Sequence, residues 1–247
     1  MLAGHFPPEL YVEFKGQRRP HVCAGRTINP KTCQQFLVGQ RGDLQAIVPL
    51  FHQGFLGKVV TGKTPSTSNS GYFGGKFPFI KTPDMHGNIF VLQTEETLTE
   101  DGFNSQKSQA IPANSICVSC IGTGGVVSIT PSVCMTNQQI NSLILKNKME
   151  LEFLFFTLRG LKTMIEMFGS TGATMTNLSK GKFENLKFIK PKDEFIEKFC
   201  LSTKPILNEI KNLSQQQITL KQIRDLLLPR LISGKLKVNE LKEFELV

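Results

Sequence analysis

Three glycine-rich stretches of the sequence, 61–76, 80–88 and 169–182, combine lysines with short hydroxyl or amide side chains. Lysines can neutralise nucleic-acid phosphates, and Ser, Thr and Asn can bond either phosphates or base edges. Ordinary surface loops share this composition, so the pattern alone leaves both interpretations open. The candidate DNA-contacting residues are Lys63, Thr64, Ser66, Tyr72, Lys76, Lys81, Thr82, Ser170, Thr174, Thr176, Lys180 and Lys182.

Three consecutive carboxamide side chains, Asn137, Gln138 and Gln139, precede an apolar run. Asn and Gln can pair with adenine through two hydrogen bonds. Such side chains can equally bond the backbone where a strand begins. Both interpretations stay open.

The sequence contains no constellation that predicts catalysis. The segment 122–125, Gly-Thr-Gly-Gly, lacks dinucleotide-binding spacing and predicts a tight turn between strands. The segment 62–64, Gly-Lys-Thr, lacks the first glycine of a phosphate-binding loop. The four histidines are scattered and have no paired carboxylate nearby in the sequence. We therefore expect a binding protein and no catalytic residues.

Cys117 and Cys120 form a C-x-x-C pair inside a predicted strand. Residues three apart on a strand point to opposite faces, which does not suit two ligands of one metal ion. Cys23 and Cys33 do not have zinc-site spacing either. We expect buried, reduced thiols and no metal site.

The elements that must position these loops are mainly strands. Helical spacing over 149–168, with Gly169 following as a C-cap, predicts one amphipathic helix, and Ser179 is a candidate N-cap for a short helix over 179–185. A strand should follow at 186–191. The apolar runs that predict the other strands are 56–60, 77–81, 89–92, 116–121, 125–129 and 142–145.

The C-terminal region predicts a long helix over about 205–228. Pro205 suits its first turn, with Ser202 or Thr203 as the cap, and Pro229 and Gly234 should end it. A separate short helix is expected over 193–201. The long helix carries an apolar seam at heptad spacing that predicts a coiled-coil-like dimer. The seam residues are Ile206, Ile210, Leu213, Gln217, Leu220, Arg224 and Leu227.

Composition narrows the class of partner. The chain of 247 residues has a formal net charge of +9 at pH 7, which favours a polyanionic partner such as nucleic acid. No apolar run of transmembrane length and no signal-peptide pattern is present, so we expect a cytoplasmic protein without membrane contact. Residues 1–50 show little periodicity, and we expect an extension of unknown role.

Four segments, read in order, resemble one protein family. The segment LKQIRDLLLPRLISGKLKV resembles the helical region of type I restriction–modification specificity subunits. The segments 57–85, 136–145 and 169–191 resemble the opening, middle and end of a target recognition domain in that family. The resemblance covers about 54–240. The family pattern has two recognition domains and two helical regions, and this chain resembles a half-length form with one of each.

The resemblance implies an α+β fold, with a β-rich target recognition domain at 51–191 and a helical spacer and dimerisation region at 192–247. It implies a non-catalytic subunit that binds double-stranded DNA, reads half of a bipartite site, and positions methyltransferase and restriction subunits. No cofactor is expected in this chain, and S-adenosylmethionine, ATP and Mg²⁺ are expected on the partner subunits. The chain would pair with itself or with another specificity chain.

Three alternatives remain open. The chain could be a truncated or orphan fragment that serves as a dimerisation or recombination partner of a full-length specificity subunit. It could be a self-contained DNA-modifying enzyme, against which the missing catalytic motifs argue. It could also be a helical dimerisation protein that does not bind DNA.

Overall fold

The computed structural model describes residues 57–169 and 176–235, and the backbone of three strands before residue 50. The strands are β1 Tyr11–Phe14, β2 Gln17–Pro20, β3 Leu44–Pro49, β4 Gly57–Thr61, β5 Phe73–Ile80, β6 Glu96–Leu98, β7 Ile116–Ser119, β8 Ile121–Gly122, β9 Val127–Ile129, β10 Met135–Thr136, β11 Ile140–Leu145, β12 Thr176–Asn177 and β13 Lys187–Pro191. The α-helices are α1 Thr82–Met85, α2 Glu100–Ser105, α3 Leu151–Gly160, α4 Lys162–Gly169, α5 Lys180–Glu184 and α6 Asp193–Ile232.

The centre of the fold is an antiparallel sheet in the order β4-β11-β7-β9. Successive side chains of a strand point to opposite faces, so each strand serves two cores. Val59 and Leu143 pack in the larger core, beneath α3 and α6, whereas Val60 and Ile140 pack in a second core on the other face. Burial on both faces explains why these strands are almost continuously apolar.

A second sheet has the strand order β10-β5-β6 and packs around a small core of its own. β10 pairs parallel to β5, with Thr136 opposite Ile80. Phe79, Leu98 and Met135 are fully buried there. This parallel pairing brings the end of β5 next to the connection between β10 and β11.

The sequence predicted most of these elements at nearly their observed positions. The predicted strand at 89–92 was wrong: Phe90 makes a single bridge to Ile129, and the chain then turns so that Leu92 N–H bonds the Phe90 carbonyl. The predicted helix over 149–168 is split into a 3-10 turn, α3 and α4. Its break follows Gly160, a residue that weakens helices.

β3 pairs antiparallel with β13, with Ile47 opposite Ile189. This strand belongs to the stretch for which the sequence predicted an extension of unknown role. The domain boundaries at 51 and 192 stay predictions. β1 and β2 pair antiparallel with each other in the same stretch, the remainder of 1–50 lies outside the described residues, and the role of the stretch stays open.

The C-terminal helix differs from the prediction in both length and start. α6 is one helix of 40 residues, about 60 Å long, with Pro205 in its interior. Proline removes one helical hydrogen bond at a cost of about 3 kcal/mol. Residues on both sides of it, Ile196, Cys200 and Leu207, are buried, and this packing holds the helix together across the proline.

The predicted caps and stops of that helix are corrected accordingly. Ser202 and Thr203 do not cap it; their hydroxyls donate to the carbonyls of Lys198 and Phe199, one turn back. Pro229 does not end it, because the helix continues to Ile232. Gly234 does follow the end, in the left-handed region at φ +70°, which glycine adopts without strain.

The predicted heptad seam divides between two environments. Ile210 packs against the larger core, beside the buried Leu207. Ile206, Leu213 and Leu220 are exposed, by 60%, 53% and 65%. Pairing of two such helices stays a prediction. Among the described residues, no helix is long and apolar enough to span a membrane.

We predict that two adjacent residues of α6 differ sharply in their effect on stability. Leu207→Ala removes a side chain buried in the larger core and should lower the free energy of unfolding by about 2–5 kcal/mol. Ile206→Ala, on the exposed face, should change it by less than about 1 kcal/mol. Urea unfolding of both variants measures the difference. Equal losses would contradict the docking of α6 through Leu207.

Candidate nucleic-acid interface

The ends of β4 and β5 meet at the connection between β10 and β11. Gly62, just after β4, donates its N–H to the Ile140 carbonyl at 3.1 Å, and Asn137 N–H bonds the Ile80 carbonyl at 3.1 Å. A Cβ on Gly62 would lie 2.1 Å from the carbonyl oxygen of Asn137. Only glycine permits this approach, and it places Lys63 and Thr64 directly beside the connection.

Four amide side chains form what we call the carboxamide junction: Asn137, Gln138, Gln139 and Asn141. Asn137 accepts a hydrogen bond from Gln139 N–H at 3.2 Å and donates through Nδ2 to Gln139 Oε1 at 3.2 Å. The sequence-based alternative of backbone bonding is therefore confirmed for Asn137. The other members of the junction each reach one of the three lysine-containing loops.

The first loop, 61–76, is tied to the junction through Gln138. Thr64 Oγ1 donates to Gln138 Oε1 at 2.7 Å, and both side chains reach the surface. Ser66 and Ser68 share a hydroxyl hydrogen bond at 2.7 Å. The Lys63 side chain is exposed and has no ion pair with any other described residue. This loop thus presents the Lys63 ammonium group, unpaired among the described residues, next to the Thr64 hydroxyl and the Gln138 amide.

Two more candidates of the first loop, Tyr72 and Lys76, lie just before β5 and within it. Tyr72, half-buried, accepts a hydrogen bond from Thr99 N–H at its carbonyl. Lys76 is exposed, forms a 3.6 Å ion pair with Glu100, and lies 5.2 Å from the centre of the Phe77 ring. Tyr72 directly precedes β5 and Lys76 lies within it, and the far end of this strand, Ile80, meets the junction.

The second loop, 80–88, is bound into the protein more tightly than the sequence suggested. Thr82 is buried, and its hydroxyl donates to Gln139 Oε1 at 3.4 Å. Lys81 forms an ion pair with Glu96. The Asp84 carboxylate accepts hydrogen bonds from the backbone N–H groups of Lys81 and Glu95. Glu96 therefore already compensates the Lys81 charge, and the Thr82 hydroxyl helps to hold the Gln139 side chain in place.

The third loop, 169–182, is tied to the junction through Asn141. The buried Asn141 accepts from Thr61 Oγ1 at 2.7 Å and donates to the Leu178 carbonyl at 3.4 Å. Ser179 caps α5 as predicted. Ser170 and Thr174 lie outside the described residues, and only the backbone of Thr176 is described, paired with Gly122.

The two lysines at the end of this loop are at the surface. Lys180 pairs with Glu184 at 3.8 Å, and Lys182 Nζ donates to the Phe168 carbonyl at 3.4 Å. Exposed pairs of this kind contribute about 0–1 kcal/mol. Both ammonium groups can therefore exchange these partners for a phosphate at little cost.

The sequence analysis singled out three members of the junction, Asn137, Gln138 and Gln139, but missed the fourth. Asn141 was not singled out, although an amide inside the apolar strand Ile140–Leu145 is an unusual residue to bury. A buried amide requires partners on both its oxygen and its nitrogen. That requirement was the available signal that Asn141 joins two other segments.

The segment 122–125 is a turn, as predicted. It lies in the connection between the paired strands β7 and β9. Ser119 organises it, donating to the Thr123 carbonyl at 2.6 Å and accepting from Val126 N–H at 2.9 Å. Gly122 and Gly125 have positive φ angles, as a tight turn requires.

Cys117 and Cys120 lie on opposite faces of the sheet, as predicted: Cys117 packs in the second core and Cys120 in the larger one. Burial raises the pKa of each thiol from 9.0 to about 11. A metal ligand must be a thiolate, so these residues are poor ligands. Among the described residues, no group of three or more His, Cys, Asp or Glu could hold a metal ion.

Comparison with known proteins gives a consistent family. Residues 51–222 match the type I restriction modification DNA specificity domain. The chain is 41% identical over 183 residues to the type I restriction enzyme HindI specificity subunit of Haemophilus influenzae, covering 73% of this chain and 40% of that protein. It is 26% identical over 172 residues to the MjaIX specificity subunit of Methanocaldococcus jannaschii, covering 68% of this chain and 40% of that protein.

A solved structure shares the fold. The S subunit of a type I restriction-modification system from M. genitalium superposes with a TM-score of 0.57 at 16% identity, over 83% of this chain and 50% of that one. The chain spans about 40% of the length of both curated relatives.

We predict that the buried thiols resist alkylation in the native chain. At pH 8, Cys117 and Cys120 should stay unmodified by iodoacetamide for hours and react within minutes in urea, read by mass spectrometry of peptides. Because burial raises their pKa, the unfolded chain loses these protons first, so stability should fall as the pH rises from 9.0 towards about 11. Rapid labelling of the native chain would contradict this burial.

Proposed function

The chain belongs to the type I restriction modification DNA specificity family, and from this membership we propose that it recognises a short DNA sequence and positions separate methyltransferase and restriction subunits there. In this proposal the chain contributes no catalytic residue. S-adenosylmethionine, ATP and Mg²⁺ act on the partner subunits, and this chain supplies the contacts that select the site.

One structural observation supports DNA contact by the predicted loops: the first and third loops, far apart in sequence, are both fixed to the carboxamide junction. Gln138 holds Thr64, and Asn141 holds the backbone of Leu178. Loops fixed to one support can meet one DNA duplex together, because their relative positions need not be ordered on binding. The second loop contributes to the same support through Thr82 and Gln139.

The proposed contact set follows from the exposure and pairing of each candidate. Lys63, Lys180 and Lys182 would contact phosphates, and Thr64 and Ser66 would lie close enough to DNA to influence sequence preference. Ser170, Thr174 and Thr176 stay in the set as predictions, as do Tyr72 and Lys76 at its margin. Thr82 is buried and Lys81 is paired, so we assign both a supporting role instead.

We further propose that α6 pairs with a second helix through its exposed apolar stripe, Ile206, Leu213 and Leu220, at seven-residue intervals. An antiparallel pair would place two recognition domains at opposite ends. A homodimer would read an interrupted palindrome, because two-fold symmetry presents identical loops to both half-sites. An asymmetric site would instead indicate pairing with another specificity chain.

We predict that Lys63 and Lys81, both lysines of the candidate loops, differ in their contribution to DNA binding. In complex with the methyltransferase subunit, Lys63→Ala should reduce the slope of log affinity against log salt by about 0.9, the value for one lost phosphate contact. Lys81→Ala, the matched control, should leave the slope nearly unchanged, because Glu96 already compensates that charge. An unchanged slope for Lys63→Ala would show that Lys63 does not contact a phosphate and that the phosphate-binding surface lies elsewhere.

We predict that the exposed stripe controls assembly. Leu213→Lys with Leu220→Lys should convert a dimer to a monomer in light scattering, because two buried like charges would face each other across the pair. Gln215→Lys with Gln222→Lys adds the same charge to the opposite, exposed face and should leave the dimer intact. Ile210 is unsuitable for this test, since it packs on its own domain.

A wild-type chain that stays monomeric at high micromolar concentration, alone and with the methyltransferase subunit, would contradict the pairing. If the variant with lysines at Leu213 and Leu220 still forms dimers, the dimer contact lies on another surface.

A further inference from the structure

The orientation of the Gln139 carboxamide is fixed by its neighbours. The backbone N–H of Gln139 can only donate, so the Asn137 atom that it bonds at 3.2 Å is the oxygen Oδ1. Asn137 therefore presents its nitrogen Nδ2 to Gln139, and the Gln139 atom 3.2 Å away must be the oxygen Oε1. Thr82 Oγ1 donates to the same oxygen at 3.4 Å.

This arrangement leaves Gln139 with donors alone. Both lone pairs of Oε1 are engaged by Asn137 and Thr82. The nitrogen Nε2 has no hydrogen-bond partner among the described residues. In the described part of the chain, Thr136 Oγ1 is the one buried side-chain nitrogen or oxygen atom without a partner. Because Nε2 also lacks a partner there, it is not buried and reaches the surface. Pairing with adenine needs one donor and one acceptor, and Gln139 has no acceptor to offer.

Gln138 lies on the outer side of the junction and is held by one neighbour. Its Oε1 accepts from Thr64 Oγ1 at 2.7 Å, and its Nε2 is without a partner in the described structure. The Gln138 side chain is exposed, and the exposed, unpaired Lys63 directly precedes Thr64. The Gln139 nitrogen and the Lys63 ammonium group thus present only hydrogen-bond donors, and the adjacent Gln138 adds a second amide nitrogen, although one lone pair of its Oε1 stays open among the described residues.

We propose that Gln138 and Gln139 together bind a phosphate of the DNA backbone and do not read a base. This inference rests on the proposed function. Purine N7, guanine O6 and thymine O4 all accept hydrogen bonds, so a fixed donor discriminates poorly among bases. A phosphate oxygen is a charged acceptor and forms the stronger hydrogen bond. Because the Gln139 amide cannot turn over without losing its hydrogen bond from Asn137, the contact sets the register of the loops on DNA for any sequence.

The test uses the chain in complex with its methyltransferase subunit. Gln139→Glu keeps an oxygen for Asn137 and Thr82 but replaces the donor with a carboxylate oxygen that repels phosphate. Gln138→Glu does the same at an exposed position and carries the test if the first variant folds poorly. Affinity is measured for the preferred site, for sites with single-base changes and for unrelated duplexes.

Each variant should lose affinity by about tenfold or more for all duplexes alike, with the order of sequence preference unchanged. Gln138→Met, which removes the donor without adding charge, should weaken binding about threefold to tenfold and keep the wild-type salt slope, because no counterion is exchanged. That unchanged slope separates an amide–phosphate contact from a lysine–phosphate contact.

Two control variants show whether a loss of DNA affinity comes from the proposed contact. Gln109→Glu alters another half-buried glutamine, whose Oε1 accepts from Ser108 at 2.9 Å in a separate 3-10 helix, and should bind normally. Thr82→Val removes a support of Gln139 Oε1 but not the donor, and should retain affinity within about twofold. A loss with Thr82→Val as large as that with Gln139→Glu would overturn the proposal, since junction integrity would then explain both.

Wild-type affinity in the variants of Gln138 and Gln139 would also overturn it, and so would a changed preference at one base pair, which is the sign of base reading. Both results require a wild-type complex that binds its site. A wild-type complex that binds no DNA sequence preferentially would reject the proposed function itself, so the two failures are distinguishable.

Discussion

The arrangement of this protein depends on a small set of buried amide hydrogen bonds at the start of β11. Asn141 bridges Thr61 and the Leu178 carbonyl, and Asn137 holds Gln139 in one orientation. Each buried amide that lost a partner would cost about 1–3 kcal/mol, so the network resists rearrangement. Thr61 and Leu178, which are 117 residues apart in the sequence, are thereby both held by Asn141 of the central sheet. A surface that must recognise DNA benefits from this rigidity, because little order has to be gained on binding.

The long helix α6 divides its surface between two tasks. One stripe, Ile196, Cys200 and Leu207, is buried in the domain and fixes the direction of the helix. The exposed stripe of Ile206, Leu213 and Leu220 points elsewhere and carries apolar area that the described part of the chain does not cover. The direction of the helix is therefore set by its packing on the domain. A fixed helix direction is what the proposed pairing of two such helices requires.

The sequence predicted what depends on local pattern. Apolar runs bounded by turn signals located β4, β7 and β11, heptad apolar spacing located most of α6, and Ser179 was correctly identified as a cap. Prediction from the sequence failed where contacts with distant residues override the local preference. Pro205 reads as a helix start, but the burial of Leu207 and Cys200 carries the helix through it. Thr82 and Lys81 were predicted to be loop residues available to DNA. Thr82 instead forms a hydrogen bond with Gln139, and Lys81 forms an ion pair with Glu96. No local pattern reveals such partners, because strand pairing alone brings them together.

Hydrogen–deuterium exchange of the complex with the methyltransferase subunit, with and without its DNA site, tests most directly whether the loops form one DNA-binding surface. Binding should protect 61–69, 137–139 and 177–182 together, with the same dependence on DNA concentration, while α2 exchanges as before. Protection confined to one of these segments, or centred on α2 and β6, would contradict a single surface organised by the carboxamide junction.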